Sequence, residues 1–276
     1  MRTVNQFFAS TIGGNSLLFE NASVVLSPFL IRPEYTGACW RVRRVSDAVL
    51  LDVGFDGGGM VSEAELVAFL GTGQGRLHTY YNQVGANHAI APATTQEPLV
   101  WDNGFVTGLE GLPAVDFEGT ANRRMIFESM VESITTNGSL CLAVIDRIDT
   151  ASLQQIFSNR TENTQFRSSS AHELAFAGVA SPGASLNAIS AKKIVGFEIN
   201  TVNEEAVIFD EYIEGPISYF SLLNTPSWRF NQLGARNVTG EVYRGRIHEL
   251  FFFEDRLLTN RRNIIKNRKS IYHPGL

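Results

Sequence analysis

The sequence predicts an all-β protein, a sandwich of two antiparallel sheets, and three observations lead there. Short segments that alternate apolar and polar residues recur along the chain, separated by clusters of Gly, Asn, Pro and Ser at sandwich-like intervals. Twenty-four Gly and nineteen Phe stand against four Met, a balance that leans towards strands and tight turns. Only two stretches carry helix start and stop signals. With 276 residues, 44% hydrophobic and 18% charged, the chain can bury roughly three quarters of its unfolded surface. That length suits one large all-β domain with trimmings.

Residues 1–34 show no sustained period of 2 or 3.6. Gly13, Gly14, Pro28 and Pro33 punctuate short apolar patches there, and the segment is expected to be an arm or anchor preceding a domain of residues 35–276. Cys39 and Trp40 then lead into alternating Val42 and Val45, and Leu51 and Val53 follow a turn at Ser46-Asp47, which predicts two paired strands. Ser62-Glu63-Ala64-Glu65 matches a capping box and Gly71 supplies a stop, so a short helix is expected over about 63–70. A strand over 76–81 and a loop over 82–95 follow, and then an alternation that puts Val115 and Phe117 on one face. Further β-rich segments are expected at 139–147, 153–158, 173–178, 192–199, 206–209 and 243–254. Thr259 is a candidate N-cap for a final helix over about 260–271, with Ile264, Ile265 and Ile271 on one face, which closes the sandwich.

Net charge is −5, from 23 basic and 28 acidic residues, which argues against a surface shaped for nucleic acid. The longest uninterrupted apolar run is Leu140–Ile145, far short of a membrane span. The first residues lack the apolar core of a secretory signal, so the chain is expected to be made in a cytoplasm. Cys39 and Cys141 each sit in an apolar stretch and read as buried free thiols. No cofactor and no metal site is expected: Asp52 and Asp56 beside Gly57-Gly58-Gly59 are too few ligands for calcium and read as turn formers.

Three features could carry function. Tyr80, Tyr81, Asn82, Gln83, Asn87 and His88, together with Trp101, are the residue types that hold sugars, because an aromatic face stacks on a pyranose while amides read hydroxyls. The bland alternative for these aromatics is core. The tail from Arg256 carries +6 without an acid, while residues 1–255 carry −11. Arg261, Arg262, Lys266, Arg268 and Lys269 are therefore candidates for docking on an acidic neighbour, against a solvated helix face. Glu204, Glu205, Asp210, Glu211 and Glu214 are the place to seek the paired carboxylates of a glycosidase, although a solvated strand edge explains them as well. No nucleophile triad is readable from the scattered histidines, and no catalytic residue is assigned.

The stretch Tyr35-Thr36-Gly37-Ala38-Cys39-Trp40-Arg41-Val42-Arg43-Arg44-Val45-Ser46-Asp47, with Asp52-Val53-Gly54-Phe55 and Tyr80-Tyr81-Asn82-Gln83-Val84-Gly85, resembles the opening of the catalytic domain of α-L-arabinofuranosidases of glycoside hydrolase family 54. It is still more similar to phage virion proteins that share this opening. Residues 243–259 with the terminal helix are similar to the end of concanavalin A-like, laminin-G-type jelly rolls. Asn82 and Val84 stand where the family pattern has Asp and Ser, and no counterpart of the family's nucleophile segment is present. The resemblance therefore implies a concanavalin A-like jelly roll on a bacteriophage virion, a capsid decoration, head fibre or tail appendage. Such a protein would contact other virion proteins of the capsid or tail, form a homo-oligomer and bind glycans without catalysis. A glycoside hydrolase and a purely architectural module are the alternatives.

Overall fold

The computed structural model describes residues 17–119, 123–133, 138–147, 154–159, 165–168, 174–177, 185–186, 194–200, 205–210, 218–221, 228–235, 242–255 and 260–272. In chain order the strands of the first half are β1 (Ala22–Leu26), β2 (Trp40–Arg44), β3 (Leu50–Val53), β4 (Gln74–Tyr80), β5 (Ala89–Ile90), β6 (Leu99–Asp102), β7 (Val115–Asp116) and β8 (Met125–Ser133). Those of the second half are β9 (Ser139–Arg147), β10 (Gln154–Ser158), β11 (Gln165–Ser168), β12 (Leu174–Ala177), β13 (Ser185–Leu186), β14 (Ile194–Asn200), β15 (Glu205–Asp210), β16 (Ser218–Ser221), β17 (Trp228–Leu233) and β18 (Gly245–Phe253). Among the described residues two α-helices accompany them, α1 (Glu63–Leu70) and α2 (Asn260–Tyr272).

The pairings make an all-β sandwich of curled antiparallel sheets. One layer runs β1-β18-β9-β14-β15-β16. The other runs β13-β12-β11-β10-β17-β8-β5-β4-β2-β3. Every pairing is antiparallel, and β6 and β7 bridge from β4 to β18, curling the sheets together.

Alternation sorts side chains between two cores. Leu250 and Phe252 of β18, with Cys141, Ala143 and Ile145 of β9, face the opposite layer, where they meet Trp40, Val42, Phe127, Phe157 and Phe230. Phe251 and Phe253, with Leu140, Leu142 and Val144, face the other way, onto Ile264, Ile265, Ile271 and Tyr272 of α2 and onto Phe19, Val25 and Phe29. A strand buried on both faces has no solvated side to mark with polar residues. The run Leu140–Ile145 is thus explained, and α2 is a third layer over a sheet face. The sequence expectation that this helix shuts the sandwich is corrected in that respect.

Within the expected arm, part of residues 22–31 belongs to the sheet and its core. Ala22–Leu26 pairs with β18, Val25 lying opposite Phe251, and Phe29 and Ile31 are buried. Residues 1–16 lie outside the described residues. Segments far apart in the chain meet at Glu249, wholly buried like its partner Arg268, whose Nη1 donates to Glu249 Oε1 at 2.9 Å. Ser27 Oγ donates to the same oxygen at 2.6 Å. The Arg268 guanidinium also lies over the Phe19 and Phe251 rings, at 5.1 and 5.7 Å.

The predicted hairpin and helix are present. Ser62 Oγ accepts from Glu65 N at 3.3 Å, and Gly71 ends α1 at φ +54°, a conformation natural to glycine. Glu65 departs from the capping box, because its Oε2 accepts from Gly54 N at 3.1 Å and so ties the helix to the end of β3. Cys39 and Cys141 are buried free thiols. Asp56 is a turn former, its Oδ1 accepting from Gly58 N and Met60 N. Among the described residues no helix is long and apolar enough to cross a membrane.

Candidate functional site

The site lies on the outward face of β2, β3 and β4. In β2, Trp40 and Val42 point into the core, so Arg41 and Arg43 point out. Register places Arg41 directly opposite Asp52 on β3. The guanidinium grips that carboxylate twice, Nε to Oδ1 and Nη2 to Oδ2, both at 2.7 Å. The pair stays open, with side chains 39% and 46% exposed. Tyr81, just past β4, is held by its N–H to Cys39 O, and its hydroxyl donates to Asp52 Oδ1 at 2.8 Å. The Arg41 guanidinium sits 5.8 Å from the Tyr81 ring centroid, and the His88 ring meets Tyr81 edge-on at 5.0 Å.

Electrostatics fix the protonation of this face. Hydrogen bonds from Arg41 hold the Asp52 carboxyl below the usual carboxylate range, against burial. Burial, then the Asp52 charge, pushes the Tyr81 phenol up to about 12. Burial, with Arg41 and Arg43 nearby, lowers His78; burial lowers His88 against the pull of Glu128. His88 Nδ1 accepts from Asn82 N at 3.1 Å, so in the neutral ring the proton sits on Nε2. At neutral pH the face presents an ionised but compensated pair, a protonated phenol and two neutral imidazoles. It can hydrogen-bond and stack. Asp52, ionised and gripped by Arg41, is a poor proton donor.

Of the residues expected to read sugars, Tyr81 and His88 belong to this surface. Asn87 borders it, clasping Ser129 by Oδ1 from Ser129 N at 2.8 Å and Nδ2 to Ser129 O at 3.2 Å. The other four are buried struts. Tyr80 donates to His248 O at 2.9 Å, and Trp101 Nε1 donates to Gly71 O at 3.1 Å. Asn82 Oδ1 accepts from Val25 N and Val84 N while its Nδ2 donates to Ser23 O. Gln83 Oε1 accepts from Ile31 N and Arg32 N, and its Nε2 donates to Ser27 O and Phe29 O. These amides satisfy backbone groups of the segment that crosses them. An aspartate at 82 could not donate to Ser23 O, which gives the Asn a structural reason.

The basic tail divides. Arg268 is in the buried pair with Glu249, and Arg261 Nη1 donates to Glu198 Oε2 at 2.6 Å, so both are internal ties and neither presents a docking charge. Arg262 and Lys266 are exposed and Lys269 is half-buried. Of the carboxylates sought for hydrolysis, Glu205 and Asp210 lie at the ends of β15, and Glu204, Glu211 and Glu214 fall outside the described residues. A pair that sequence reasoning missed is Asp116 of β7 and Asp146 of β9, which flank Arg246 of β18 at 3.2 and 3.4 Å. Thirty residues separate them and only the fold joins them. Arg41 was missed too, although the Trp40-Arg41-Val42-Arg43 alternation marks it as outward. Among the described residues no group of three or more His, Cys, Asp or Glu could hold a metal ion.

Compared by sequence, the chain matches no protein-family profile and no curated protein. By fold it is similar to solved family 54 arabinofuranosidases. One is a glutamate-to-glutamine mutant of a GH54 α-L-arabinofuranosidase soaked with 4-nitrophenyl α-L-arabinofuranoside, with a TM-score of 0.63 and 10% identity. Another is an arabinofuranosidase complexed with arabinofuranosyl-α-1,2-xylobiose, also with a TM-score of 0.63 and 10% identity. In both, the likeness covers 91% of this chain and 63% of the other, so the chain spans less than two thirds of their length. What is shared at that identity is the fold, an antiparallel β-sandwich.

Proposed function

We propose that this chain is a non-catalytic, glycan-binding sandwich borne on a virion. The observation that carries the binding is the partly exposed Arg41–Asp52–Tyr81–His88 surface, an aromatic ring beside a compensated donor and acceptor pair on a fold shared with arabinofuranosidases. The resemblance of residues 35–89 to phage virion proteins supports the virion setting, as a capsid decoration, head fibre or tail appendage. Exposed Arg262 and Lys266 remain as candidate contacts to neighbouring virion proteins, and a homo-oligomer belongs to the same proposal.

The test is an array of immobilised arabinan, laminarin and bacterial exopolysaccharides, with released reducing ends measured in parallel. Binding without release is expected; release from any of them overturns the non-catalytic part. Light scattering on the full chain reads the oligomer, and peptides of this chain in purified phage particles read the setting.

The Asp116–Asp146 pair favours a second reading, a glycoside hydrolase. Both carboxylates reach the one Arg246 guanidinium, at 3.2 and 3.4 Å, which brings two acids together as glycoside hydrolysis requires. In that case Asp116→Asn and Asp146→Asn each abolish release of reducing ends.

A further inference from the structure

We infer that the Arg41–Asp52 pair is a diol subsite that takes an uncharged sugar through two neighbouring hydroxyls, a reading that rests on the glycan binding proposed above. Donors and acceptors at the pair can be counted. Asp52 Oδ1 already accepts from Arg41 Nε and from the Tyr81 hydroxyl. Asp52 Oδ2 accepts once, from Arg41 Nη2. A carboxylate oxygen has two lone pairs and a guanidinium five N–H groups, so Oδ2 keeps one acceptor position and Arg41 keeps three donor positions. They lie side by side, because the bidentate geometry fixes both groups in one plane. Two hydroxyls on adjacent sugar carbons match this edge: one donates to Oδ2 while its neighbour accepts from the guanidinium.

The same geometry disfavours charged ligands. A uronate meets Asp52 before it can meet an uncompensated cation, since Arg41 is already neutralised by that carboxylate. An amino sugar must displace Arg41 from a two-point contact. The neighbouring outward cation of the same strand is compensated too: Arg43 pairs with Glu97 at 2.6 Å. The Tyr81 hydroxyl holds Asp52 in place from the other side, which makes Tyr81 a positioning residue as well as an apolar surface for the ring.

Calorimetric titration of the full chain tests this, with neutral arabino- and laminari-oligosaccharides, oligogalacturonate and chitosan oligomers as probes. The neutral sugars are expected to bind, and methylation of one hydroxyl of the diol to weaken binding to the unaltered protein. Asp52→Asn should cost about ten- to a hundredfold in affinity, the loss of one hydrogen bond to a charged group, and Tyr81→Phe less. The pair is exposed, so both variants are expected to melt near the parent temperature. Unchanged affinity of Asp52→Asn for a sugar the parent binds overturns the subsite and leaves glycan binding standing. A preference for oligogalacturonate or chitosan overturns the uncharged class. Silence across all four probes, with the parent folded, overturns the glycan reading itself.

Discussion

Replacing Arg268 by Ala isolates Glu249 in the interior. Arg268 and Glu249 are both essentially inaccessible, and once the guanidinium is gone the carboxylate keeps the Ser27 hydroxyl on Oε1. Removing one partner of a buried pair costs about 3–5 kcal/mol, because a charge is left uncompensated. For a domain of this size that lowers Tm by roughly 6–20 °C, at about 2–4 °C per kcal/mol. The cost also depends on pH. Burial already raises the Glu249 carboxyl above its ordinary 4.5, with Arg268 pulling against it. Without Arg268 that carboxyl rises further, and the folded state binds a proton that the unfolded state releases. The variant is therefore least impaired below about pH 4.5 and loses stability as pH rises through the folded-state value. Urea unfolding of parent and variant between pH 4 and 8 measures this. The double variant Arg268→Met with Glu249→Met, which buries no charge, should recover most of the loss. A single variant within about 1 kcal/mol of the parent at pH 7, or a double variant no better than the single, would refute the reasoning.

Three other outcomes follow from the packing. Gly196→Ala places a Cβ 2.3 Å from Cys141 O and 2.5 Å from the Phe209 ring, so β14 must part from β9; a loss of about 1–3 kcal/mol or more in thermal unfolding is expected. Ser62→Ala removes the cap of α1 and should cost about 1 kcal/mol, read by the same melt. Burial pushes both thiols up, so a disulfide reagent at pH 8 should label neither Cys39 nor Cys141 until denaturant is added; prompt labelling would contradict their placement.

Local chemistry was legible and register was not. Ser62 and Gly71 bracket α1 by propensities that act within a few residues, and the Trp40–Val53 hairpin follows from alternation across a short turn. The runs Leu140–Ile145 and Leu250–Phe253 say that a strand is covered on both sides but not by what, and the cover comes from Phe19 and Ile265, far away along the chain. β1 was missed because five residues before Pro28 carry little alternation, their strand state being imposed by β18. Asn82 and Gln83 misled for a chemical reason: an amide that suits a sugar hydroxyl suits a passing backbone equally well. Arg41, Asp52, Tyr81 and His88 are ordinary one by one, and pairing across strands makes them a surface.

The partnership of β1 with β18 has a consequence for how this protein is made. A ribosome releases residues 22–26 more than two hundred positions before the segment they must pair with. Until Gly245–Phe253 has been made, Val24, Val25 and Phe29 can only be shielded by transient contacts or a chaperone, because the native partner does not yet exist. The layer that holds β1 thus waits for β18, and nascent chains halted before Gly245 should remain open to proteases.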